Sequence, residues 1–190
     1  MIAYDPRTGN EIWRAKCLGG QVVPSPIFAN GLVYAVSPDG SLAAIRADGR
    51  GDVTQTHIVW SADEGLPSIC SPVAGKELIW LVDSGGLVTC YDAMHGAKIG
   101  ANELENSFQA SPTIANDLLY LLGDDGTLHI VKADKQCSSI LSRPSSIGRR
   151  LTRDAARGTR LLRQLRPVTA APVQALTAAD ATSRTRMDSV

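Results

Sequence analysis

An all-β fold assembled from repeated four-stranded units is what the sequence predicts, and three observations predict it. A 23-residue stretch is written three times, as "SPIFANGLVYAVSPDGSLAAIRA" from Ser25, "SPVAGKELIWLVDSGGLVTCYDA" from Ser71 and "SPTIANDLLYLLGDDGTLHIVKA" from Ser111. The copies align without a gap and recur at 46 and 40 residues, a spacing in the range of propeller blades, about 40–45 residues each. No helical periodicity occurs before Cys137. The prediction is a partial β-propeller of about three four-stranded antiparallel blades, with repeats starting near residues 25, 71 and 111.

Each element of the unit has its own chemistry. A first strand opens at the Ser-Pro dipeptide, because Pro cannot donate to a ladder and belongs at a strand's beginning. The second strand is a short apolar run with a central aromatic: "LVYAV" (Leu32–Val36), "LIWLV" (Leu78–Val82) and "LLYLL" (Leu118–Leu122). Such runs, bounded by turn residues, are too short for helices and read as buried strands. "PDG", "SGG" and "DDG" follow, with the blade-turn glycines Gly40, Gly86 and Gly126 expected to supply positive φ. The third strand comes at "LAAIR", "VTCYD" and "LHIVK", and a fourth is signalled at Glu11–Lys16 and His57–Ala62. One such sheet cannot cover both of its faces, so stacked copies must cover each other.

Composition divides the chain in two. The formal net charge is zero, but nine Lys/Arg face sixteen Asp/Glu up to Cys137, and ten Arg face three Asp beyond it. All nine Phe, Trp and Tyr lie at or before Tyr120, so the last segment has little with which to build a core. Residues 1–135 are assigned to the propeller segment and 136–190 to a disordered or weakly helical, Arg/Ser/Ala-rich basic tail. Two readings of the tail stand open. One is out-of-frame translation of a GC-rich gene. The other is a genuine basic arm, in which Arg149–Arg166 forms an amphipathic helix for an anionic membrane or nucleic acid. A solvated helix with nothing to bind is simpler than either function, and no nucleic-acid partner is expected. No apolar run approaches the ~20 residues of a membrane-spanning helix, and "MIAYDPRTGNEIW" carries no signal-peptide pattern.

"AYDPRTGNEIW" resembles the docking motif of the quinoprotein-type, or PQQ-like, propeller repeat through Ala3, Asp5, Thr8, Gly9 and Trp13. "YDAMHGAKIG" keeps Asp92 and Gly96 at the same interval but has Gly100 where Trp would stand, and Trp60 takes the tryptophan place after an insertion around "GRGDVTQT". The resemblance covers about Ile2 to Ala133. It implies that the Trp packs between neighbouring blades while the Asp/Thr/Gly turn fixes the corner it reaches across. Trp13 is therefore structural before it is a cofactor platform. Family propellers commonly close with seven or eight blades, so the resemblance implies a fragment of a longer parent chain whose remaining blades are partners of this one.

Catalytic chemistry is sparse. The family's dehydrogenases are implied to need an adjacent cysteine pair, calcium ligands and a catalytic Asp beside the quinone, and this sequence has no Cys-Cys pair and no segment matching those motifs. Cys17, Cys70, Cys90 and Cys137 lack metal or redox spacing, and Cys90 reads as an ordinary buried thiol. Asp83, Asp124 and Asp125 read as turn formers, and His57, His95 and His129 as scattered singles, His129 on a rim or outward position. "GRGD" (Gly49–Asp52) is given little weight. No catalytic, cofactor-binding or metal residue is assigned, and no cofactor is expected. The leading expectation is a non-catalytic scaffold that binds other proteins through its rim and loops, similar to the lipoprotein of the outer-membrane assembly machine. A fragment of a quinone- and calcium-dependent alcohol or sugar dehydrogenase is the alternative, and a sensor propeller of a membrane receptor or kinase comes third. The resemblance places the parent in the periplasm, at the outer membrane, or outside the cell.

Overall fold

A computed structural model describes residues 1–135 together with the backbone of 139–144. The expectations for the basic arm and for out-of-frame translation, and Cys137, lie outside the described residues. Three four-stranded sheets follow one another along the chain. Blade 1 comprises β3 (Ile27–Ala29), β4 (Leu32–Val36), β5 (Leu42–Arg46) and β7 (Ile58–Ala62). Blade 2 comprises β8 (Val73–Ala74), β9 (Leu78–Val82), β10 (Leu87–Asp92) and β11 (Lys98–Glu103). Blade 3 comprises β12 (Thr113–Ala115), β13 (Leu118–Leu122), β14 (Thr127–Lys132) and β15 (Ser139–Pro144). Before them stands a partial blade of β1 (Ile2–Tyr4), β2 (Glu11–Arg14) and β6 (Gly51–Asp52). All pairings are antiparallel except β2 with β6.

The expected boundary at residue 135 falls one strand short. Ser139–Pro144 pairs antiparallel with β14 along most of that strand's length and completes blade 3. Its sequence, "SILSRP", lacks the tryptophan that marks β2 and β7, so no motif announces it.

The same irregularity recurs in every sheet. The register of the third and outer strands shifts between Ala3 and Tyr4, Ala44 and Ile45, Cys90 and Tyr91, and Ile130 and Val131. An extra residue there bends the outer strand and sharpens its twist, so the bulge belongs to the repeated unit.

Strand alternation makes each blade a wedge between two neighbours. Leu32, Tyr34 and Val36 of blade 1 pack on Ile79 and Leu81 of blade 2, while Leu78, Trp80 and Val82 on the far side of β9 pack on Leu119 and Leu121 of blade 3. Blade 2 is thus buried on both faces, which explains why β9 reads as an unbroken apolar run. Each fully buried side chain of this size stabilises by about 1.5–3 kcal/mol. The arc has two open faces. Leu118, Tyr120, Leu128 and Ile130 of blade 3 are half-buried, and Leu122 is 37% exposed. At the other end Ile2 and Tyr4 are 46% and 56% exposed, although Tyr91, which occupies the register of Tyr4 in blade 2, is 2% exposed.

The Ser-Pro dipeptides do more than open strands. Each first strand begins one residue after its Pro, as expected, but the preceding serines also link the blades. The backbone N–H of Ser25 donates to Ser71 Oγ at 2.9 Å, and that of Ser71 donates to Ser111 Oγ at 2.9 Å.

Candidate functional site

The recurrent feature with the most developed geometry is the corner between the third and outer strands, where the sequence placed its docking motif. In the partial blade, Asp5 Oδ1 accepts the N–H groups of Arg7 (2.7 Å) and Thr8 (3.4 Å), and Gly9 N–H closes the turn on Asp5 O at 2.8 Å. Thr8 Oγ1 accepts the N–H of Asn10. In blade 2, Asp92 repeats the arrangement with Met94 and His95, and Gly96 N–H closes on Asp92 O at 2.9 Å. Gly9 and Gly96 both have φ of 71°, a left-handed conformation that favours glycine. The His95 backbone N–H, with help from its imidazole, holds the Asp92 carboxyl below the usual carboxylate range.

Two tryptophans pack at these corners. Trp60 lies over Gly96, stacks on Tyr91 with centroids 6.4 Å apart and tilts against Tyr34 at 5.9 Å. Its indole N–H donates to Ala93 O at 3.1 Å, and the Tyr34 hydroxyl donates to the same carbonyl at 2.9 Å. Trp13, buried to 3% exposure, donates to Ala47 O at 3.2 Å. The acceptor is therefore the repeated alanine, seven residues after each turn glycine. That alanine was legible as a pattern in the sequence but not as an acceptor.

The insertion between β5 and β7 has a role the sequence did not reveal. It lays β6 alongside the outer edge of the partial blade, Gly51 beside Trp13, and buries Val53 with Trp13, Ala15 and Ile45. A sheet edge is thereby covered by the next blade's own loop.

At the opposite end of the blades lie the tight turns and the connections from each outer strand to the next inner strand. The turns share one hydrogen-bond pattern, in which Ser37, Asp83 and Gly123 donate to Ser41, Leu87 and Thr127. Gly86 and Gly126 have the expected positive φ, 104° and 82°. Gly40 departs from expectation: its φ is not positive, and it is required by space, since a Cβ there would stand 2.7 Å from Gly19 N.

His129 is also corrected. It is 6% exposed, edge-on to Phe108 at 5.6 Å, with Asn106 Nδ2 at 3.2 Å from Nε2. The connection carrying Phe108 covers it, and strand alternation alone could not show that cover. Asp83 and Asp125 form turns as expected, accepting N–H groups two residues ahead. The Asn106 amide, followed by the N–H and hydroxyl of Thr127, holds the Asp125 carboxyl below its usual range.

Cys17 is half-buried, and Cys70 and Cys90 are fully buried. Burial pushes the Cys70 thiol up, the opposite of an activated nucleophile. Among the described residues no three His, Cys, Asp or Glu side chains converge as ligands of a metal.

Charge, by contrast, is sharply distributed. The end that carries the tight turns and connections has exposed Asp39, Asp63, Glu105, Asp124 and Asp125, with Lys16 as the one Lys or Arg among their described residues, while Glu64 there is ion-paired with Lys98. The corner end balances Arg7, Arg50, Lys76, Lys98 and Lys135 against a similar number of carboxylates. One end of the arc presents a negative field and the other a nearly neutral one.

Comparison with known proteins follows the geometry. A 139-residue stretch is 26% identical to the outer membrane protein assembly factor BamB of Marinobacter adhaerens, covering 72% of this chain and 33% of the relative. The chain therefore spans about a third of that relative's length. Among solved structures, BamB from Moraxella catarrhalis superposes with a TM-score of 0.58 at 16% identity, over 74% of this chain and 45% of that one. A quinohemoprotein alcohol dehydrogenase from Pseudomonas putida superposes with a TM-score of 0.53 at 14% identity, over 69% of this chain and 22% of that one. At those identities both likenesses establish the propeller fold alone. The family model described as outer membrane protein assembly factor BamB matches residues 1–68 and 51–138, and the chain belongs to that family.

Proposed function

We propose that this chain is part of a non-catalytic propeller scaffold that holds protein partners at the bacterial cell envelope, on the periplasmic side of the outer membrane. The observation that carries the reading is the pairing of a rigid, repeatedly docked body with an acidic end built from turns and connections. Rigid strands that aim exposed loops are the general means by which such folds present a binding surface. A field of one sign accelerates encounter with partners of the opposite sign and rejects like-charged ones. Membership of the assembly-factor family supports the envelope setting. The half-exposed faces of Leu118, Tyr120 and Ile130 at one end and of Ile2 and Tyr4 at the other are covered, in this reading, by the remaining blades of a longer propeller. The scaffold needs no cofactor.

Photo-crosslinkers at the exposed positions Ser68 and Gln109 of the acidic end, and at Thr8 and Met94 of the corner end, test the reading in bacterial cells. Discrete crosslinked proteins are expected from the acidic end. Crosslinks confined to the corner end would overturn the assignment of the surface. Dye-linked alcohol oxidation by the full-length protein loaded with the quinone and calcium would overturn the scaffold itself in favour of the dehydrogenase alternative.

A further inference from the structure

The partial blade holds a third and an outer strand, and among the described residues neither of the inner two. Ala3 pairs with Trp13 as Ala44 pairs with Trp60, so β1 and β2 stand where β5 and β7 stand in blade 1. In all three full blades the third strand has neighbours on both edges, whereas β1 has β2 alone among the described residues. The backbone of β1 is set to pair on its other edge. Met1 and Ala15 exchange hydrogen bonds at 2.8 and 3.0 Å, and antiparallel alternation then turns the N–H and carbonyl groups of Ile2 and Tyr4 away from β2.

The facing surface of blade 1 is exposed where its counterparts are covered. Phe28 is 67% exposed, while Ala74 and Ile114, at the same place in the repeat, pack on the preceding blade. Pro26 is exposed and Val33 half-buried, but Pro72 and Pro112 are buried and Ile79 and Leu119 fully so. The free edge of β1 and this face of β3 and β4 frame one slot. Blade 2 shows what belongs in such a slot, since its inner pair, β8 and β9, lies against blade 1.

Two acceptors at the slot identify the chemistry of its occupant. Between blades 1 and 2 the Ala93 carbonyl accepts both the Trp60 indole and the Tyr34 hydroxyl. Its counterpart, the Ala47 carbonyl, accepts Trp13 and no other donor among the described residues. Tyr34 is the central residue of its strand. Likewise Ser71 Oγ and Ser111 Oγ each accept the N–H of the preceding blade's serine, and Ser25 Oγ accepts none among the described residues.

We propose that this slot binds a two-stranded antiparallel hairpin that opens on a serine and carries a tyrosine at the centre of its second strand. The tyrosine hydroxyl completes the Ala47 carbonyl, the serine N–H reaches Ser25 Oγ, and the second strand pairs with β1 as β9 pairs with β10. The hairpin comes from the part of the longer propeller outside this chain, which spans about a third of a relative's length. The inference rests on the scaffold reading and deepens it, by naming the segment that meets this end and the side chain it brings.

Fluorescence anisotropy of the full chain with a labelled peptide tests this. The peptide copies the inner pair of blade 1, "SPIFANGLVYAV", with a lysine added at each end. It is expected to bind, and replacing its tyrosine by phenylalanine should weaken it about two- to tenfold, the worth of one hydrogen bond. In the chain, Ile2→Pro removes a donor from the free edge, and Phe28→Lys removes the ring that the hairpin covers. Both positions are exposed, so neither variant disturbs the fold, and each should weaken binding at least about fivefold. A second measurement serves should the hairpin form too weakly on its own. Ser25–Ser41 written again ahead of Met1 brings the same pair into register with β1, and should raise the urea midpoint, less so with phenylalanine for its tyrosine. No binding together with an unchanged midpoint overturns the proposal. Binding that Ile2→Pro and Phe28→Lys both leave unchanged also overturns it, in favour of the open face of blade 3. Equal binding of the phenylalanine peptide overturns the tyrosine. Any of these failures leaves the crosslinks at the acidic end standing, so the two readings fail separately.

Discussion

Gly9 and Gly96 provide a controlled experiment within one chain. They share φ of 71° and the same closing hydrogen bond to an aspartate carbonyl. They differ in what lies above them. A Cβ on Gly9 would meet nothing within 4 Å, whereas a Cβ on Gly96 would stand 2.5 Å from Cδ2 of Trp60. Gly9→Ala therefore imposes only the left-handed backbone on a side chain, about 1–2 kcal/mol. Gly96→Ala imposes the same strain and also displaces the indole. Overpacking of this kind costs about 1–3 kcal/mol more, for a total of about 2–5 kcal/mol. Removing the ring should erase that excess, so in a Trp60→Ala background the cost of Gly96→Ala should fall to that of Gly9→Ala. The cycle can be measured by urea unfolding of the full chain followed by circular dichroism, with a coupling of about 1–3 kcal/mol expected for residues in contact. Equal losses for Gly9→Ala and Gly96→Ala, or a Gly96→Ala cost that Trp60→Ala does not change, would refute the docking account.

Trp60→Phe should cost less than Trp60→Ala by about 2 kcal/mol or more, because it keeps most of the ring, and the Ala93 carbonyl retains the Tyr34 hydroxyl; equal melting of the two variants would contradict this. Acid should destabilise through Asp92 and Asp125, whose carboxyls are held below their usual value in the fold. Their contribution is complete above the unfolded aspartate value near 4 and is lost as pH falls through the lower folded values. Asp92→Asn with Asp125→Asn should accordingly flatten the stability profile below about pH 4, as read by urea midpoints from pH 2 to 6. Cys70 and Cys90 are fully buried, so iodoacetamide should label Cys17 before either of them and reach those two only as the sheet opens, which peptide mass mapping over time will show.

The arc was legible in the sequence because its unit repeats. Ser25, Ser71 and Ser111 set the frame, and the apolar runs from Leu32, Leu78 and Leu118 each became a second strand. What escaped was decided between units. His129 alternates on its strand as an outward residue should, but a connection carrying Phe108 covers it. Gly40 looked like its two counterparts, yet the requirement there is the close approach of Gly19. The pairing of β6 with the preceding blade was invisible, because two residues without alternation give no strand signal. The strand at Ser139–Pro144 lacks a packing aromatic, and only its ladder with β14 identifies it.

The absence of a ring at position 100 has a physical counterpart that makes it tolerable. The junction between the partial blade and blade 1 has a small buried core of Trp13, Ala15, Ala43, Ile45 and Val53, so Trp13 is indispensable there. Between blades 2 and 3 the connection from β11 to β12 folds inward and adds Leu104 and Phe108 to a core that already holds Trp80, Leu119 and Leu121. Cys70 from the preceding connection joins it, with its thiol directed at the carbonyls of Phe108 and Ala110. A fully buried Phe contributes about 1.5–3 kcal/mol, comparable to what a peripheral indole provides. In a stacked array each junction is stabilised by its own contacts. A junction secured near its connections can therefore lose its outer tryptophan without weakening the next.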